Sequence, residues 1–152
     1  MSKLKLLAKY WWPVWLWAVV IVSASGDSNS VQRSSRIIEP LVRWLFPNAS
    51  AETIHAAVFL GRKWAHLTEY AIFALLCWWA LRASRQPKPT GWSRRIAWLA
   101  WGAATCFAVT DEVHQLFVPG RQGSIWDVLI DSTGAAGGLF LLWRLGRWRN
   151  WW

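Results

Sequence analysis

Acidic residues are scarce in this chain, eight among 152, against seventeen lysines and arginines. Cysteine is scarcer, and Cys77 and Cys106 both lie in apolar sequence, which argues against a disulfide framework and against a cysteine-based metal site. No nucleophile motif of a known hydrolase is present. Nor is any basic patch interleaved with aromatics of the kind that stack single-stranded nucleic acid, so the net charge of +9 does not call for a nucleic-acid partner. What remains is 55% hydrophobic and carries 16 tryptophans, a composition foreign to soluble enzymes.

Four apolar windows, roughly 10–25, 64–81, 96–118 and 125–145, each approach the ~20 residues that cross a hydrocarbon core. They predict one domain over 1–152, an all-α polytopic membrane protein with four transmembrane helices. The basic residues lie at helix ends. Lys3, Lys5 and Lys9, then Arg82, Arg85, Lys88, Arg94 and Arg95, then Arg144, Arg147 and Arg149 share one side, eleven against six. The positive-inside rule therefore expects a plasma-membrane protein with both termini cytoplasmic. Trp11, Trp12, Trp78, Trp79, Trp92, Trp148, Trp151 and Trp152 fall at inner ends and Trp64 and Trp126 at outer ends, the headgroup level that tryptophan prefers. Val22-Ser23-Ala24 imitates a signal-peptide cleavage site, but Lys9-Tyr10-Trp11-Trp12 reads as an interfacial anchor, and retention of the first helix is expected.

Between the first two windows, Gly26 to Ser30 is turn-rich. Ile37, Leu41, Trp44 and Leu45 then recur at helical spacing, with Arg36 and Arg43 free for headgroups. This predicts a short helix hugging the outer leaflet. Pro47 and Asn48 break it, Ser50 or Asn48 can cap the next turn, and Ala51 to Leu60 forms a second short helix that ends before Gly61.

The informative residues stand at the outer ends. Arg62, His66, Glu69 and Tyr70 share one helical face, Lys63 adjoins it, and a helix entering at Arg62 places His66 about 6 Å and Glu69 about 10 Å deep. Carboxylates at such depth need a partner or a proton. The third window is uncharged from Ile96 through Thr110 and then ends in Asp111-Glu112-Val113-His114-Gln115. Asp111, His114 and Gln115 share a face from which Glu112 is rotated by about 100°. Pro119-Gly120-Arg121 signals a type II turn, and Ser124 with Asp127 three residues on fits a helix cap. Capping explains Asp127 as well as function does; it does not explain Asp131, one turn deeper on the same face. Gly134 and Gly138 continue that face as a small-xxx-small pattern, which predicts close packing of the fourth helix at the centre.

These residues resemble the VanZ-like family of small four-helix membrane proteins. The resemblance runs from Arg62-Lys63 with His66 and Glu69-Tyr70, through the Asp111 to Gln115 motif and Pro119-Gly120-Arg121, to Asp127 and to Asp131 with Gly134. It implies a polar site outside the cytoplasm and, for the founding member, resistance to the lipoglycopeptide teicoplanin. Two functions follow as expectations. One is an envelope factor that binds a lipid-linked cell-wall intermediate or a lipoglycopeptide. The other is an intramembrane phosphohydrolase or transferase, with His66, His114 and Asp111 catalytic. In either, Arg62, Lys63 and Arg121 hold phosphate, alongside Glu69, Tyr70, Glu112, Gln115, Asp127 and Asp131. No cofactor is expected; two histidines and several carboxylates could hold a divalent metal, but no spacing is diagnostic.

Overall fold

A computed structural model describes residues 3–26, 30–85, 87 and 90–151, with only the helical backbone for 3–7 and 30–33. The centre of the turn after Gly26, Lys88 and Trp152 lie outside the described residues. Within them the chain is all α, with five helices: α1 (Lys3–Ser25), α2 (Ser30–Leu45), α3 (Ala51–Ala83), α4 (Arg94–Gln115) and α5 (Ile125–Trp148). Only α5 is long and apolar enough to count as a membrane span by length and composition. The other predicted spans also form helices, lying within α1, α3 and α4.

The stretch predicted as a short helix ending before Gly61 is instead the first third of α3, which runs unbroken for 33 residues. A single glycine costs a helix only about 1 kcal/mol, and no proline follows to stop it. Gly61 also has a packing role, because a Cβ there would meet Ile38 Cδ1 of α2 at 2.7 Å. Ser50 caps α3 by accepting from the Thr53 N–H at 3.2 Å. In α2, Ile37, Leu41, Trp44 and Leu45 are all exposed, so the amphipathic stripe predicted from sequence faces outward.

Helices α3, α4 and α5 form the core. Helix α1 lies against α3 and touches α4, while α2 packs on the first third of α3. Trp17 Nε1 donates to the Glu69 carbonyl at 2.9 Å and fixes the depth of α1. Small residues fill much of the interior beside Ile21, Tyr70, Phe73 and Ile96, and many bulky apolar residues face outward. Ala74, Ala80, Ala100, Ala104, Ala108 and Ala135 are fully buried, whereas Trp15, Leu16, Val19, Trp98, Leu99, Phe140 and Leu141 are exposed. A core of small residues lets helix backbones approach, a packing mode suited to helices that gain nothing from hiding leucine from lipid.

The closest approach joins α3 and α5. A Cβ at Gly134 would stand 2.2 Å from the Leu67 carbonyl oxygen, and one at Gly138 would stand 3.0 Å from the Ala71 Cβ. The pairing of 67 with 134 and 71 with 138 shows that the two helices run parallel. Gly134→Ala should therefore destabilise the protein by about 1 to 3 kcal/mol. Gly137→Ala, whose added Cβ meets nothing within 4 Å, should be neutral or slightly stabilising. Thermal unfolding of the purified variants compares them, and equal midpoints would refute the close α3 to α5 contact.

Candidate functional site

One turn above the glycine contact, the parallel register of α3 and α5 sets acids opposite cations. Lys63 Nζ pairs with Asp127 Oδ1. His66 Nδ1 stands 3.4 Å from Asp131 Oδ1, an ion-pair distance without hydrogen-bond alignment. Asp131 is wholly buried. The two acids are one turn apart on α5 and would repel each other, and α3 supplies one basic partner to each.

Helix α4 contributes a chain of hydrogen bonds. Ser25 of α1 donates to Asp111 Oδ1 at 2.5 Å. Gln115 Nε2 donates to Asp111 Oδ2 and to Glu112 Oε1, both at 3.2 Å, and Gln115 Oε1 accepts from Arg121 at 2.9 Å. Glu112, rotated off the motif's main face, is nevertheless buried, and its Oε2 accepts the Ser124 backbone N–H at 2.7 Å. Ser124 stands at the N-cap of α5, but its side chain makes no capping bond, a departure from the cap predicted for it. Between these anchors, Gly120 has φ +78° and the Arg121 N–H donates to the Val118 carbonyl at 3.1 Å. A glycine at positive φ in third position is the turn that Pro119-Gly120 predicts, and it carries Arg121 back over the bundle.

These groups surround a cavity of about 110 Å³. Arg62, His66 and Glu69 enter it from α3, Asp111 from α4, Arg121 from the turn, Ser25 from α1 and Ser34 from α2. Burial, and then the like charge of Arg121, pull the Arg62 pKa below its ordinary value, while Asp127 acts in the opposite sense. Lys63, Glu112, Gln115, Asp127 and Asp131 do not line the cavity; of these, Gln115 bonds Asp111 and Arg121 and Asp131 faces His66. Tyr70 is buried edge-on against Phe73, with its hydroxyl lacking a hydrogen bond. His114 is exposed at the rim, beside Gly26. Among the described residues no group of three or more His, Cys, Asp or Glu side chains is arranged to hold a metal ion.

Sequence reasoning missed the share of α1 and α2. Ser25 follows the cleavage-like Val22-Ser23-Ala24, and only its depth, level with Asp111, marks it as a partner.

The described chain is an all-α bundle with many exposed bulky apolar residues, one helix apolar and long enough to cross a membrane, and a buried acid-base network at one end. The chain belongs to the VanZ/LLP1 family, whose sequence model matches residues 10–147. No curated protein and no solved structure matches it.

The pairing of α3 with α5 has a measurable energy. A double-mutant cycle on Lys63→Gln and Asp127→Asn should give a coupling of about 1 kcal/mol in unfolding, since both groups are largely shielded from solvent. Strict additivity would show that the pair contributes nothing.

Proposed function

We propose that the protein crosses the plasma membrane four times, through α1, α3, α4 and α5, with both termini cytoplasmic and α2 on the outer leaflet. In this reading it is an envelope factor whose cavity binds the phosphate of a lipid-linked cell-wall intermediate. The observation that carries this is the convergence of Arg62 and Arg121 with His66 on one small cavity. Guanidinium groups are suited to phosphate oxygens, and a desolvated site strengthens each contact. About 110 Å³ suits a phosphate-sized group, whereas sites that enclose a drug-sized ligand run to roughly 300 Å³ or more. Teicoplanin-type resistance, the property implied by the founding VanZ, would then act through the lipid intermediate and not by swallowing the antibiotic.

The small residues in the interior, the many outward-facing bulky apolar residues and the outward stripe of α2 support the membrane placement. Impermeant maleimide applied to intact cells should label Asn48→Cys and spare Thr90→Cys, in a background lacking Cys77 and Cys106. The reverse pattern would invert the topology.

One observation favours a second reading, hydrolysis or transfer of the lipid phosphate. His66 presents Nδ1 to buried Asp131 while lining the cavity, which leaves Nε2 as the ring nitrogen available to a ligand. A carboxylate beside an imidazole favours its protonated form, and a closer, aligned contact on ligand binding would prepare it to act as base or nucleophile. Binding of a polyprenyl phosphate and phosphate release from a polyprenyl diphosphate separate the two. Arg62→Ala and Arg121→Ala should each weaken binding about tenfold or more. His55→Ala, exposed on the far outer turn of α3, should not change it. Turnover abolished by His66→Ala with binding retained identifies an enzyme; tight binding without turnover identifies the factor. Loss at His114→Ala alone would move the site to the rim.

A further inference from the structure

A second concavity runs along the flank of the bundle, from the level of Asp131 toward the 84–93 connection. The edge between α3 and α4 is covered by α1, but the edge between α4 and α5 is covered by no described helix. Along it runs a groove of about 620 Å³, lined by Trp98, Trp101 and Ala97 of α4 and by Leu129, Ala136 and Phe140 of α5. From Leu129 to Phe140 it extends about 16 Å along the bundle. Its polar groups are hydrogen-bonded within the chain: Trp101 Nε1 donates to the Ser132 carbonyl at 3.1 Å, Thr105 and Ser132 share a hydrogen bond of 2.9 Å, and the exposed Thr133 donates to the Leu129 carbonyl. What remains is an apolar trough with Arg94 at the end nearer the 84–93 connection. No acidic residue lines it.

We infer that this groove holds one acyl chain of an anionic phospholipid from the inner leaflet, with the lipid phosphate on Arg94. The charge selects the occupant. A second copy packed here about a two-fold axis along the membrane normal would set two Arg94 side chains at the same depth, like charge against like. A lipid brings the opposite charge to Arg94 and a flexible chain to the trough. Trp98 and Trp92 at the same end suit the headgroup boundary. The groove shares no lining residue with the phosphate cavity, and Arg94 stands at the end of the bundle opposite that cavity.

The leaflet assignment rests on the orientation proposed above, which labelling at Thr90→Cys reports independently. The groove itself is tested by lipid binding to the full chain in detergent, read by native mass spectrometry with phosphatidylglycerol and phosphatidylcholine of identical chains. The parent should prefer phosphatidylglycerol about fivefold, the yield of one basic side chain near a lipid phosphate. Arg94→Gln should abolish that preference, and the neighbouring exposed Arg95→Gln should keep it. Ala136→Trp, which fills the trough from an exposed position, should weaken retention of both lipids. Equal affinities in the parent, or retention unaffected by Ala136→Trp, would overturn the inference while Thr90→Cys stays shielded. A dimer dissociated by Ala136→Trp would overturn it in favour of a second copy.

Discussion

The contact of α3 with α5 over Gly134 and Gly138 is the constraint on which the other features depend. At Gly134 the two backbones approach to a distance that no Cβ would allow, and at Gly138 a Cβ would be tightly crowded. That approach sets Asp127 and Asp131 against Lys63 and His66 one turn higher. A buried acid stripped of its partner is expensive, several kcal/mol when one member of a buried pair is removed. Packing and charge pairing are therefore not separable here. The glycines fix the spacing that makes the acids tolerable, and the pairs fix the register that lets the glycines meet.

Gln115 has an equivalent role for the loop. Its amide donates to acids on its own helix and its carbonyl accepts Arg121 from the following turn, so one residue links α4 to the loop that precedes α5. Through Asp111 and Ser25 the same chain of bonds reaches α1. Glu112 completes the attachment by holding the backbone of Ser124. The polar motif at the end of α4 is thus divided in labour. Asp111 reaches the cavity, Glu112 and Gln115 hold the loop, and His114 remains outside.

Helical class and the approximate position of every helix were legible in the sequence, because apolar windows, Ser50 and the Pro119-Gly120 turn are local signals. The small-xxx-small face of α5 was legible for the same reason. What the sequence hid was relational. Nothing local tells that Gly61 is a contact point for Ile38 and not a helix end, since glycine serves both purposes. The rotation of Glu112 was readable, but its destination, the Ser124 N–H, depends on how the loop folds back. Ser25 and Ser34 carry no motif, and their approach to the cavity follows only from the depth at which Trp17 and Ile38 seat α1 and α2.

The length of α3 has a consequence for how a ligand arrives. At 1.5 Å per residue its 33 residues extend about 50 Å, while a hydrocarbon core spans about 30 Å, or twenty residues of straight helix. Under the proposed four-span placement, counting back from Leu81 ends the core near Arg62, and Ala51 to Gly61 would stand above it as a post on which α2 rests. In the four-span orientation, Arg62 and the cavity mouth then lie in the plane of the lipid phosphates themselves. A lipid-borne phosphate would reach them by sideways diffusion within its own leaflet, a two-dimensional search that leaves the tail in hydrocarbon throughout and demands no extraction from the bilayer.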